Sequence, residues 1–134
     1  MHVTRRARSG GFSLIELMIV MTLIIILAGM GLALYTNSVT RTKEAVLREN
    51  LFRMRDAIDQ YYADTNRYPA TLDALVTDGY LRAIPEDPTT ESADTWVVTM
   101  AAPNLQNLSQ QPGVFNVRSG SDQAALDGTP YAEF

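Results

Sequence analysis

The chain has no cysteine in its 134 residues, so no disulfide braces it and no thiol serves as nucleophile or zinc ligand. Its one histidine, His2, lies among basic residues at the start. In the rest of the chain Ser-His-Asp, Cys-His and His-based zinc chemistry are all excluded. No phosphate-binding glycine loop occurs, and the adjacent acids Glu86 and Asp87 fall in a turn with no apolar pocket signal around them. Basic residues are scarce after Tyr68, where Arg82 and Arg118 stand against nine acids. That balance repels polyanions and argues against nucleic acid as a ligand. The inventory points away from an enzyme.

Charge is also absent from Leu17 to Thr40, and proline is absent before Pro69. Residues 17–35 form a nineteen-residue apolar run, enough for a helix to cross a bilayer. Arg5, Arg6 and Arg8 precede it without an acid, which keeps the start cytoplasmic and sends the C-terminal part across the membrane. A plain single-pass anchor accounts for the hydrophobicity. A secretory signal peptide has a shorter core, although Ala28, Gly29, Gly31 and Ala33 imitate its cleavage site and would release a chain starting near Tyr35. Neither reading explains Glu16 behind the junction Gly10-Gly11-Phe12. A carboxylate at the head of a membrane span costs a few kcal/mol and marks function by default. Its natural partner is the amino group that Phe12 gains if the chain is cut after Gly11. The cut lowers Lys+Arg from 11 to 8 against 15 acids and moves the net charge from -4 to -7. This arrangement implies a protein that polymerises out of a membrane. Gly29 and Gly31 either weaken the span or serve as packing notches, and their Gly-x-Gly spacing is not a dimer motif.

Helical periodicity continues beyond the apolar run. Leu47, Leu51, Met54, Ile58 and Tyr61 make a one-sided stripe, with Arg48, Glu49, Arg53, Arg55, Asp56, Asp59 and Asp64 on the other faces. Nothing need interrupt a helix from about Phe12 to Asp64. Asn66-Arg67-Tyr68-Pro69 ends it, because a residue before proline favours extended backbone. Thr71 caps a short helix that Gly79 closes. Trp96–Met100 and Val114–Val117 alternate like strands around a polar loop, Ala101–Gly113. Trp96 reads as core. Arg118 to Phe134 shows turn residues and no period. The fold class is α+β, divided into a leader (1–11), a membrane helix (12–35), its amphipathic continuation (36–66) and a globular part (67–134). Roughly seventy residues beyond the long helix is marginal for independent folding.

Gly11-Phe12-Ser13-Leu14-Ile15-Glu16-Leu17 behind a basic leader resembles the signal of type IV pilins and type II secretion pseudopilins. Asn66-Arg67-Tyr68-Pro69, Gly79-Tyr80-Leu81, Ile84-Pro85, Asp87-Pro88 and Val114–Asp122 are similar to the G-type, or major, pseudopilin. The resemblance covers most of the chain and least of Trp96–Gln111. It implies a pilin-like fold, with the long helix packed on a small antiparallel sheet. It implies a prepilin peptidase that cuts before Phe12 and N-methylates it, and a Glu16 that meets the Phe12 ammonium of a neighbouring subunit. It further implies an inner-membrane protein with a periplasmic head. That protein would be a homopolymer subunit of a secretion pseudopilus, working with minor pseudopilins and an inner-membrane assembly platform. A type IV pilus subunit for adhesion, motility or DNA uptake is the alternative; lack of a C-terminal cysteine pair weighs against it. Many relatives carry a proline in the second half of the membrane helix, and Met30–Tyr35 has none. The resemblance also implies one calcium in the C-terminal loop, for which Ser119, Ser121, Asp122 and Asp127 offer oxygens. The same residues suit ordinary turns, and two acids are few for an ion that takes six to eight oxygens.

Overall fold

The computed structural model describes residues 10–103 and 111–134. Arg5, Arg6, Arg8 and His2 of the leader, and 104–110 of the polar loop, lie outside the described residues. Contacts divide the chain into two units, one ending at Asn37 and the other running Ser38–Phe134.

One helix, α1 (Leu14–Thr65), begins in the first unit and continues into the second. Its side chains from Leu14 to Asn37 are all exposed, Leu14 by 80% and Leu34 by 70%. Apolar surface on that scale needs lipid or other protein to cover it, and the helix is long and apolar enough to cross a membrane. Thr22 donates its hydroxyl proton back to the Met18 carbonyl at 2.8 Å, so the helix satisfies this polar group itself.

In the second unit the expected stripe faces inward: Leu47, Leu51, Met54, Ile58 and Tyr61 are buried, and Ala57 joins them. The helix stops where Asn66 turns left-handed at φ 55°, a conformation asparagine tolerates, while its N–H still reaches the Tyr62 carbonyl at 2.8 Å. Pro69 follows, buried. Helix α2 (Leu72–Thr77) starts at Thr71, whose hydroxyl accepts the Ala74 N–H at 3.3 Å. It ends at Gly79, where φ of 83° demands glycine. Leu72 and Leu75 point into the core.

Strands β1 (Val97–Met100) and β2 (Val114–Arg118) pair antiparallel, Val97 opposite Arg118 and Thr99 opposite Asn116. The register shifts between Thr99 and Met100, which leaves one extra residue in β2. That irregularity resets the pleat, and Val114 and Val117, three apart, both become buried. Gly113 runs against the Tyr68 backbone so closely that a Cβ there would fall 2.5 Å from the Tyr68 carbonyl oxygen. Trp96 is buried as expected and donates its indole N–H to the Pro85 carbonyl at 2.8 Å. The tail closes on itself through an Ala124–Pro130 bridge and a short 3-10 turn at Tyr131–Glu133, with Tyr131 buried.

Candidate processing and assembly site

Gly10 to Ser13 precede the helix, and all of them are exposed. The helix then needs acceptors for its first N–H groups. Ser13 supplies one: its hydroxyl oxygen accepts the Glu16 N–H at 3.3 Å, and its carbonyl accepts the Leu17 N–H at 3.1 Å. Ser13-Leu14-Ile15-Glu16 is the S-x-x-E pattern of a helix start, a local signal that marks the boundary by itself. The Gly11–Phe12 peptide therefore lies outside the helix.

Phe12 is 76% exposed, and a Cβ on Gly11 would meet nothing within 4 Å. Among the described residues no packing requires glycine there. Glu16 stands in the first turn, where the amide dipoles favour a negative charge. Its carboxylate makes no hydrogen bond or ion pair among the described residues. The structure thus brings Gly11, Phe12 and Glu16 together at the start of α1 and leaves the carboxylate open to a partner from outside the chain.

The four oxygen donors of the C-terminal loop part company. Ser119 is buried and donates its hydroxyl proton to Asp87 Oδ2 at 2.5 Å, while its oxygen accepts the Ser121 N–H at 3.1 Å. Ser121 is buried and accepts the Gln123 N–H at 3.2 Å. Asp122 and Asp127 are exposed. Hydrogen bonds from the Thr129 N–H, then from its side chain, hold the Asp127 carboxyl below the usual aspartate range. Among the described residues no three His, Cys, Asp or Glu side chains gather as a metal site would need. Any cation here would depend on the two acids plus chain carbonyls.

Asp87 is the polar residue that sequence reasoning missed. It is fully buried, and its carboxylate accepts from Ser119, the Thr89 N–H and the Thr89 hydroxyl. Asp-Pro signals a turn, and nothing local announces a partner thirty-two residues away. Several α1 charges that lie off the buried stripe hold the tail. Arg55 donates to Asn116 Oδ1, the Val117 carbonyl and the Phe134 carbonyl. Glu44 accepts the Leu126 N–H at 2.8 Å and the Tyr131 hydroxyl at 3.4 Å. Arg48 lies 4.3 Å from the centre of the Phe134 ring. Burial, then the Glu44 charge, pushes the Tyr131 phenol above its ordinary pKa.

Residues 6–32 match the model of the prokaryotic N-terminal methylation motif. Type II secretion system core protein G of Pectobacterium carotovorum subsp. carotovorum is 31% identical over 97 residues, 60% of this chain and 62% of the relative. The protein of the same name from Klebsiella michiganensis is 30% identical over 63% of this chain and 70% of its own length. The Pseudomonas aeruginosa protein of that name is 31% identical with the same coverage. The chain thus spans under two thirds of the Pectobacterium relative and slightly more of the other two. No solved structure matches it with significance. With an open carboxylate in the first turn of an exposed apolar helix, a methylation motif across it and these relatives, the chain belongs to the pseudopilin family of type II secretion system core protein G.

Proposed function

We propose that this chain is a structural subunit of a type II secretion pseudopilus and catalyses nothing. Residues 1–11 are a leader that a prepilin peptidase removes at Gly11–Phe12, after which Phe12 is N-methylated. Residues 12–35 anchor the chain in the inner membrane, 36–66 continue the helix, and 67–134 form a periplasmic head. Glu16 then accepts the Phe12 ammonium of a neighbouring subunit, which removes two charges from lipid at once. A pair buried this way sets register more than it adds stability. The fibre grows from an inner-membrane assembly platform, carries minor pseudopilins and moves folded proteins outward. One observation carries this reading: an exposed, non-helical Gly11–Phe12 bond directly ahead of a helix whose first turn holds an unpartnered Glu16. Glu16→Ala tests it. Processing should persist while sedimentable fibres and secretion are lost; unchanged secretion would reject the reading. Deletion of the chain should abolish secretion and spare surface pili, whereas the reverse would indicate a type IV pilus subunit.

Calcium belongs to the same proposal, held by Asp122 and Asp127 with chain carbonyls. Those carboxylates are exposed, and Ser119 and Ser121 already have hydrogen-bond partners. Chelation should lower the melting temperature of a fragment from Ser38 onward, since a ligand bound only to the folded state stabilises it. An unchanged melting curve would remove the metal.

A further inference from the structure

The run Asn66-Arg67-Tyr68 does more than end α1. With Tyr62 it forms one wall of a cleft of about 350 Å3, whose other wall is residues 101–103 and 111–113. That volume is at the small end of ligand sites. Main-chain bonds hold the walls in place. The Asn66 N–H goes to the Tyr62 carbonyl, the Ala101 N–H to the Gly113 carbonyl at 2.8 Å and the Val114 N–H to the Pro69 carbonyl at 2.7 Å. Tyr68 is fixed as well, stacked with Tyr62 at 4.5 Å and T-shaped against Phe115 at 5.6 Å. The polar side chains are in the opposite state. Tyr62, Asn66, Arg67, Tyr68 and Gln111 make no side-chain hydrogen bond or ion pair among the described residues, and no acid lines the cleft.

Two phenols, two amides and one guanidinium thus converge, unspent, on a hollow built before any ligand arrives. A bound peptide strand would ask for free main-chain groups, and the Ala101 and Val114 N–H groups are already given away. Phosphate favours clustered main-chain N–H groups at a nest or a helix start, and this cleft lies at a helix end. Amides and phenols both donate and accept, as sugar hydroxyls do. Tyr62, 40% exposed, offers a flat apolar surface that a pyranose ring can cover. Arg67 finds no carboxylate in the cleft, so a carboxylate on the ligand would take its charge-assisted hydrogen bonds. We propose that the cleft binds a carboxylated saccharide, with its ring against Tyr62, its hydroxyls on Asn66 and Gln111 and its carboxylate on Arg67.

Saturation-transfer NMR and titration of the full-length chain in detergent micelles test the site. The probes are N-acetylmuramic acid, glucuronic acid and their carboxyl-free counterparts, N-acetylglucosamine and glucose. An acid should bind about tenfold tighter than its counterpart. If both acids do so, the site takes acidic glycans in general. N-acetylmuramic acid alone would name cell-wall glycan as the source, and glucuronic acid alone a uronate-bearing polysaccharide. Arg67→Gln should erase the preference, and Tyr62→Ala should weaken every probe about fivefold. Both side chains are exposed, so both variants should keep the parent's thermal midpoint. Binding of neither acid, equal binding of acid and neutral sugar, or binding that neither variant changes would overturn the site. Single chains suffice for this measurement, so its failure would leave the pseudopilus reading standing.

Discussion

At the scale of single residues, a few polar atoms decide how the second unit is held. Asp87 is buried with every hydrogen bond directed at its own loop or at Ser119. Asp87→Ala leaves the buried Ser119 hydroxyl and the half-buried Thr89 hydroxyl without their acceptor. The cost should be roughly 3 kcal/mol, read as a lower urea midpoint in a fragment from Ser38 onward. A loss well below 1 kcal/mol would mean that water replaces the carboxylate. Tyr131 gives a pH prediction. Its folded pKa is raised by burial and by Glu44, so the neutral phenol is favoured in the folded state. That contribution is complete below the ordinary tyrosine value of about 10 and disappears as pH climbs through the raised folded value. Thermal midpoints above about pH 10 should fall less steeply in Tyr131→Phe than in the parent chain.

Among elements, legibility followed the range of the forces. The α1 stripe was readable because spacings of four and three repeat within one helix, and its five residues are all buried. The α2 cap and the two strands were readable for the same reason: Thr71, Gly79 and the β-branched runs act on near neighbours. The tail was opaque. Its order comes from Arg55 and Glu44, which lie seventy-nine and eighty-two residues from Phe134 and Leu126 in the chain and leave no periodic trace. The register shift in β2 was equally invisible, since strict alternation would not bury both Val114 and Val117. Packing makes the α1 stripe the dominant element. Ile58, fully buried beside Met54, should cost about 2–5 kcal/mol when changed to alanine. Phe52→Ala, on the exposed face, should leave the isolated fragment within about 0.5 kcal/mol of the parent, measured by the same denaturation.

Across the whole molecule, the chain divides its labour along one helix: exposed apolar residues from Leu14 to Asn37, and a buried stripe from Leu47 to Tyr61. Gly11, Phe12 and Glu16 stand out in the sequence because all three fall within six consecutive residues and a carboxylate is costly at the head of an apolar span. Ser13 as the helix cap was legible too, through S-x-x-E, yet it is easily passed over beside the louder glutamate. What a single chain leaves unwritten is the partner, because in the proposed fibre the cation for Glu16 would arise only after a cut and on another copy.

Intact-mass measurement of the protein extracted from membranes tests that claim most directly. The account predicts a chain that begins at Phe12 and carries one added methyl group. A functional protein that still holds residues 1–11 would contradict it, since Phe12 would then have no ammonium to offer Glu16.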